Sequence, residues 1–165
     1  MKKQKGFSLI ELLIVVAIIL IIAAIAIPNL MRSRMAANES SAVGSVRTIN
    51  TAEVTYATQY QDIGFAAQLT NLGGNAATCA TPTGASSAAA CLIDSLLAGG
   101  NKSGYTFTAT GSVLGTGTVN NAYNVTAVPQ GIGTTGQRGF YSDQSGVIRY
   151  TLDGSTPTTA SSPLQ

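Results

Sequence analysis

The sequence predicts an α+β protein in which a long N-terminal α-helix packs on a C-terminal antiparallel sheet of about four strands. Two patterns predict this class. Helical spacing of apolar residues extends over about the first 60 positions, whereas beyond Asn101 apolar and polar residues alternate with a period of two. A stretch rich in Gly, Ala, Thr and Ser separates the two patterns. The chain of 165 residues therefore divides into a helical first part and a β-rich second part.

The composition and charge disfavour several classes of function. The chain has no His, which removes Ser-His-Asp and Cys-His catalytic centres and His-ligated zinc. Lys2, Lys3 and Lys5 carry three of the nine basic charges, so six basic residues face seven acidic ones in the rest of the chain. Beyond its first residues the chain therefore lacks the basic surface typical of a nucleic-acid-binding protein. The sequence predicts no enzyme activity, no metal site and no cofactor.

A long apolar segment follows these lysines. Glu11 is the only ionisable residue among residues 6–31, and residues 12–27 are all Leu, Ile, Val or Ala. The segment reaches the length of about 20 residues that crosses a bilayer as a helix. The lysines favour a single pass with the N-terminus in the cytoplasm. We expect residues 1–6 to form a removable leader and residues 7–31 to form a membrane helix.

Glu11 needs an explanation because its carboxylate lies within this apolar segment. A charged side chain at the centre of a membrane helix costs about 2.5–3.5 kcal/mol on insertion scales, and less toward the ends. One interpretation places Glu11 among the lipid headgroups at the cytoplasmic end. The other begins with cleavage after Gly6, which creates an α-amino group on Phe7, one helix turn from Glu11. In staggered helices that amine would pair with Glu11 of another subunit and fix the register between them.

The segment KGFSLIELLIVVAIILIIAAIAIPN, residues 5–29, resembles the N-terminus of type IV pilins and of type II secretion pseudopilins. The resemblance is close over about the first 60 residues and extends to the rest in general layout. In that family a membrane aspartyl peptidase cleaves after the Gly and N-methylates the new first residue, and an acidic fifth residue is needed for assembly. The resemblance therefore implies processing at Gly6 and Phe7 and a role in assembly for Glu11.

The same resemblance implies the partners and the location of the chain. It implies self-association into a helical homopolymer, a prepilin peptidase that is also the methyltransferase, and assembly machinery in the inner membrane. Membrane lipid would surround the helix before assembly. The chain would then pass from the inner membrane into an extracellular pilus or a periplasmic pseudopilus.

Pro28 is predicted to loosen the helix near the end of the apolar segment. Because proline has no backbone N–H, the carbonyl of Ala24 loses its helical partner. One interpretation is that Pro28 marks the exit from the membrane. The other, which the resemblance supports, is that residues 23–28 lengthen when filaments form or are pulled.

Residues 32–60 continue the helix with an amphipathic pattern. Apolar side chains recur at steps of three and four, at Val43, Val46, Ile49, Ala52, Tyr56 and Tyr60. This face is predicted to pack against the sheet. The charged residues are predicted to form a solvated face or contacts between subunits, and they are Arg32, Arg34, Glu39, Arg47 and Glu53.

Residues 61–101 are predicted to form a connecting loop with a disulfide. Cys79 and Cys91 lie in it, and the outward orientation places them in an oxidising compartment. A disulfide there would contribute about 3 kcal/mol in the chain-entropy model. The two cysteines lack a CxxC spacing, and without His they make a poor metal site. Residues 92–98 are predicted to form a short helix that ends at a Gly pair.

Residues 102–154 are predicted to form the sheet, and residues 155–165 a surface tail rich in Ser, Thr and Pro. The apolar positions of the four strands are Tyr105, Phe107 and Ala109; Tyr123, Val125 and Ala127; Phe140 and Tyr141; and Ile148, Tyr150 and Leu152. One apolar face of such a sheet would cover the amphipathic half of the helix.

The predicted function is a structural subunit of a type IV pilus. The alternative is a pseudopilin that forms a short periplasmic filament for type II secretion. An anchored enzyme or binding protein is disfavoured by the missing His and the lack of a convergent polar motif. Asp143 and Asp153 offer oxygen atoms for Ca²⁺, but their sequence context is more typical of turns. The β-rich part of the chain has few basic residues that could bind a nucleic acid, so such a partner is disfavoured. A filament would nevertheless repeat each of these residues many times.

Overall fold

The computed structural model describes residues 8–74, 76–80 and 84–164. The chain divides into two compact units, Met1–Arg34 and Met35–Gln165. The helices of the described residues are α1 (Leu9–Gln59), α2 (Leu69–Leu72), α3 (Ala76–Cys79) and α4 (Ser95–Ala98). The helix α1 contributes to both units, and the second unit is called the head below.

The head contains an antiparallel sheet in which each strand pairs with the next along the chain. Its strands are β1 (Asn101–Lys102), β2 (Tyr105–Ser112), β3 (Ala122–Pro129), β4 (Gly139–Asp143), β5 (Arg149–Thr151) and β6 (Ser162–Pro163). The α+β class with a long N-terminal helix on an antiparallel sheet is confirmed. The described part of the sheet has six strands rather than the predicted four, because β1 and β6 span two residues each and are too short for an alternating pattern.

The period of two correctly predicts the buried face of the long strands. Tyr105, Phe107 and Ala109 of β2 are buried, as are Tyr123, Val125 and Ala127 of β3. On β4, Phe140 and Ser142 are both buried on the inner face, whereas Tyr141 lies on the other face. The prediction is wrong for Leu152, which is 69% exposed, because β5 ends at Thr151 before the pattern is complete.

The core lies between this sheet and α1. Val46, Ile49, Ala52 and Tyr56 are buried as their helical spacing predicts. Tyr105 and Phe140 stack against each other from the sheet side, with ring centroids 5.9 Å apart. Burial of large side chains such as these contributes about 1.5–3 kcal/mol each. The amphipathic half of α1 and the apolar face of the sheet therefore cover one another.

The last residues depart from the predicted surface tail. Pro157 is fully buried, and Ser162–Pro163 pairs with β5 as an edge strand. The N–H of Leu164 donates to the carbonyl of Ile148 at 2.7 Å, and its side chain packs against the core. Isolated Pro and Leu anchors within a Ser- and Thr-rich stretch show no periodic pattern, so the sequence does not indicate them. A proline suits an edge strand because it does not donate to a further neighbour.

The connecting segment contains more regular structure than the predicted loop. The N–H groups of Cys91 and Leu92 donate to the carbonyls of Gly73 and Leu72, at 3.0 and 2.8 Å. The predicted helix 92–98 begins at Ser95, because the carboxylate of Asp94 caps it by accepting the N–H of Leu97 at 3.0 Å.

Candidate functional site

The apolar segment of α1 has no cover in the first unit. None of its most apolar 18-residue stretch is buried, and Leu9, Ile18 and Ile25 expose 77%, 51% and 65% of their surface. The helix is long and apolar enough to cross a membrane by length and composition. An all-round apolar helix is stable only in lipid or among other helices. This surface is the first part of the candidate site.

Glu11 lies at the start of α1, where its carboxylate caps the helix. Its Oε2 accepts a hydrogen bond from the backbone N–H of Ser8 at 2.9 Å, and the N–H of Leu12 donates to the carbonyl of Ser8 at 3.2 Å. Ser8 and Glu11 have the S-x-x-E spacing of a capping box, and the Glu makes its half of that motif. This local role is absent from the sequence interpretation, although the spacing was visible in the sequence.

Pro28 lies inside α1, which is helical on both sides of it. The carbonyl of Ala24 has no N–H donor one turn later, since proline lacks one. Just beyond it, the hydroxyl of Ser33 donates to the carbonyl of Asn29 at 3.0 Å. The predicted processing residues Gly6 and Phe7 lie outside the described residues.

Glu39 is buried in the head, against the prediction that it belongs to a solvated face. It is 8% exposed. Its Oε1 accepts the backbone N–H groups of Gln137 and Arg138 at 2.9 and 3.1 Å, and its Oε2 accepts Nε of Arg138 at 2.8 Å. Burial opposes ionisation, but these hydrogen bonds and the guanidinium outweigh it and lower the pKa of Glu39. The carboxylate is therefore held in its charged form.

Glu53 is also buried, and the prediction of a solvated side chain is wrong for it too. The residue is fully inaccessible. Its Oε2 accepts the backbone N–H of Ala66 at 2.9 Å, while its Oε1 has no hydrogen-bond partner among the described residues. Burial raises the pKa of Glu53 from its ordinary value of 4.5 to about 7, and the single bond from Ala66 only partly opposes this.

The positions of both carboxylates follow from the helical spacing. The buried face of α1 includes Glu39, Ala42, Val46, Ile49, Glu53 and Tyr56, which follow one another at steps of three and four. The row therefore indicates that both glutamates point into the core. Residue type alone favours the predicted solvated face or contacts between subunits, because charged residues are rarely fully buried without a partner.

Cys79 and Cys91 form the predicted disulfide, with their Cα atoms 5.7 Å apart. It ties α3 to the segment that pairs with Gly73. Gly74 lies directly against it, since a Cβ there would come within 2.5 Å of Sγ of Cys79 and 2.8 Å of Sγ of Cys91. The disulfide is thus closely packed and has a structural role.

Asp143 and Asp153 each stabilise a turn. The Oδ1 atom of Asp143 accepts the backbone N–H of Ser145 at 2.9 Å, and Oδ1 of Asp153 accepts that of Ser155 at 3.1 Å. Among the described residues, no group of three or more acidic or Cys side chains could hold a metal ion.

These features define a class of protein, namely an α+β protein whose long first helix starts with an uncovered apolar segment. Residues 1–27 match the family model of the prokaryotic N-terminal methylation motif. The matched residues include Gly6, Phe7 and Glu11, which the resemblance to type IV pilins singled out, but not Pro28.

Similarity to three known proteins supports the resemblance to the type IV pilin family. The chain is 46% identical over 63 residues to the type IV wide pilus major component PilA4 of Thermus thermophilus, covering 38% of this chain and 42% of that protein. It is 40% identical over 79 residues to the type IV major pilin protein PilA of Myxococcus xanthus, covering 44% and 36%. It is 54% identical over 52 residues to a fimbrial protein of Pseudomonas aeruginosa, covering 32% and 34%.

The resemblance to the type IV pilin family is thereby confirmed. The chain spans less than half the length of each of these relatives in the matched segments. No solved structure matches the chain.

Proposed function

We propose that this protein is a structural subunit of a type IV pilus, assembled through the apolar part of α1. The observation that carries the proposal is the exposed apolar helix with one carboxylate at its start, which begins within the segment that matches the methylation motif. A helix of this kind gains stability only when lipid or other helices cover it. The relatives are a pilus component and pilins by name, which supports a structural rather than a catalytic role.

Processing would prepare the helix for assembly. A prepilin peptidase would cleave after Gly6 and methylate the new amine on Phe7, which keeps its positive charge. In α1 the carboxylate of Glu11 already lies 2.9 Å from the backbone N–H of Ser8, the residue next to Phe7. Cleavage would therefore create the positive amine on the residue directly before Ser8, whose N–H the carboxylate of Glu11 accepts.

The charge pair would set the register between subunits. Before assembly the helix would span the inner membrane once, with its N-terminus in the cytoplasm. In the apolar interior of a filament, the amine of one subunit and Glu11 of its neighbour attract more strongly than in water. An unpaired carboxylate there is strongly disfavoured, so mismatched registers would be rejected. Pro28 would let residues 23–28 lengthen as helices are drawn together.

Mass spectrometry of the mature protein tests the processing step. We expect loss of residues 1–6 and one added methyl group on Phe7. An intact leader in a host that contains the peptidase would contradict the proposal. Electron microscopy then separates the two kinds of filament, because surface filaments indicate a pilus and filaments confined to the periplasm indicate a pseudopilus.

Substitution of Glu11 tests the assembly step. Glu11→Gln keeps a side-chain oxygen that can accept the N–H of Ser8, but it removes the charge. We expect normal cleavage and at least a tenfold lower filament yield, equivalent to about 1.4 kcal/mol or more. Glu11→Asp, which retains the charge, is the control and should assemble better than Glu11→Gln. Equal filament yields for Glu11→Gln and the unsubstituted chain would show that the charge is not required.

A further inference from the structure

One end of the head presents apolar side chains on a loop without charge. Residues 113–121 connect β2 to β3 and contain no charged residue. Leu114 is 61% exposed in this loop, and Val113 and Val119 are also exposed. We call these three residues the tip patch. Apolar side chains exposed on a loop without charge are suited to contact with an apolar surface of a partner.

The tip patch is held in a fixed backbone conformation. The amide side chain of Asn121 bonds both backbone groups of Leu114, since its Oδ1 accepts the N–H at 2.6 Å and its Nδ2 donates to the carbonyl at 2.9 Å. The leucine is therefore ordered while its side chain remains in water. Such preorganisation lowers the entropy lost when a partner binds.

A second apolar patch lies on two adjacent segments of the head. Ile132 is 57% exposed and Leu152 is 69% exposed, and we call these two residues the base patch. They lie in adjacent segments, because Ile132 lies against Gly154 and the carbonyl of Leu152 accepts Nε2 of Gln137. Hydrogen bonds within the loop 131–136 stabilise it, since the N–H groups of Thr134 and Thr135 donate to the carbonyl of Gly131.

The two patches lie at opposite ends of the part of α1 that belongs to the head. The loop 131–136 contacts the first residues of α1 in the head, since the side-chain amide of Asn38 donates to the carbonyl of Thr135 at 2.8 Å. The loop 113–121 contacts the segment just after α1, since the N–H of Asn120 donates to the carbonyl of Ile63 at 2.9 Å. The helix between these attachments is about 30 Å long.

We propose that the tip patch of one subunit docks on the base patch of a second copy of this chain, stacking heads end to end along the filament. The patches are both apolar, both preorganised and located at opposite ends of one molecule, so a copy shifted along α1 brings one onto the other. Such a head-to-tail contact uses two different surfaces and generates an open polymer rather than a closed dimer. The proposal rests on the pilus function and names a further contact within the filament.

The contact is expected only within filaments. Its five side chains are far fewer than the roughly 20 residues per partner of a stable isolated interface. Polymerisation through α1 would supply the remaining stability by holding heads close together. The heads would therefore stack after the helices assemble.

Disulfide cross-linking tests the contact directly. The described cysteines are both in the native disulfide, so new cysteines report their own contacts. Filaments that carry Leu114→Cys together with Leu152→Cys should give a ladder of linked subunits on a non-reducing gel after mild oxidation. The control pair is Leu96→Cys with Leu152→Cys, since Leu96 is also 69% exposed but lies on α4. Filaments without a ladder, or a ladder equally strong with the control pair, would overturn the inference.

A charge in the tip patch provides an independent test. Leu114→Asp should reduce filament yield about tenfold, because the carboxylate would be buried in an uncharged contact. Leu96→Asp is the matched control and should leave the yield unchanged. Equal yields for the two variants would exclude the stacking contact while leaving the pilus function intact. If the unsubstituted chain formed no filaments in a pilus-assembling host, both the function and the contact would fall.

Discussion

Two carboxylates on one face of α1 show opposite behaviour at the two ends of the head. Glu39 accepts three hydrogen bonds, one of them from a guanidinium, and its pKa is lowered. Glu53 accepts one, and burial raises its pKa to about 7. The residue type and the face of the helix are the same. The number and charge of the donors therefore decide whether a buried glutamate stabilises the head as an anion or as an acid.

The difference has a structural origin in the segments that cover each carboxylate. Glu39 faces the start of β4, where successive backbone N–H groups and the side chain of Arg138 converge on it. Glu53 faces the segment after α1, where Ala66 supplies a single N–H. The aromatic rings of Tyr56 and Tyr123 lie near Glu53, and burial raises their pKa values as well, with a smaller contribution from the charge of Glu53. One end of the head is thus built for a charge and the other for a neutral group.

The largest expected effect comes from neutralising Glu39. Glu39→Gln removes the charge that pairs with Arg138 and weakens the two backbone hydrogen bonds. We expect a loss of about 2–3 kcal/mol in the free energy of unfolding at pH 7, measured by denaturant unfolding of the full chain in detergent.

The surface pair formed by Asp94 and Lys102, with its N and O atoms 2.8 Å apart, is the matched control. Both side chains are partly exposed, so Asp94→Asn should cost less than about 1 kcal/mol. A similar loss for Glu39→Gln and Asp94→Asn would show that burial adds nothing to the Glu39 site.

Glu53→Gln is expected to act in the opposite direction, with an effect that grows as the pH rises above 4.5. The pKa of Glu53 is raised on folding, so its protonated form stabilises the head below pH 4.5, and this stabilisation is lost as the pH rises to about 7. Above pH 7, Glu53→Gln should therefore stabilise the full chain by about 1–2 kcal/mol, since it never has to bury a charge. Near pH 4.5 the two chains should be about equally stable.

The pH profile of unfolding distinguishes the two sites. The pKa of Glu39 is lowered, so its contribution is present above pH 4.5 and is lost as the pH falls further. Glu53→Gln should flatten the profile between pH 4.5 and 7, whereas Glu39→Gln should flatten it below pH 4.5. A Glu53→Gln profile parallel to that of the unsubstituted chain would mean that Glu53 titrates near its ordinary value.

The periodic parts of the fold could be predicted from the sequence. Steps of three and four indicate the buried row of α1, and alternation indicates the inner faces of β2 and β3, because each pattern records burial directly. The edge strands β1 and β6 could not be predicted, since two residues carry no period. Pro157 and Leu164 are anchored by contacts made far along the chain, which composition does not reveal.

The candidate site could be predicted in part. Glu11 stands out because it is charged within an apolar segment. Glu39 and Glu53 could have been placed in the core by extending the apolar row, but residue type outweighed position in that interpretation. The donors that make Glu39 differ from Glu53 come from Arg138 and Ala66, which lie 99 and 13 residues away in the chain. A single sequence does not indicate such pairs.

The smallest expected effect comes from Gly44, which lies on α1 between the two carboxylates but is exposed. A Cβ at this position would meet no atom within 4 Å, apart from its neighbours in the helix. Gly44→Ala should raise the free energy of unfolding by about 0.5–1 kcal/mol, because alanine loses less backbone entropy in a helix. The gain should be the same at pH 4.5 and pH 7, since no titrating group is changed. A gain that varied with pH would mean that the stability of α1 itself couples the two carboxylates, and the opposite behaviour of Glu39 and Glu53 could then no longer be assigned to their separate donors.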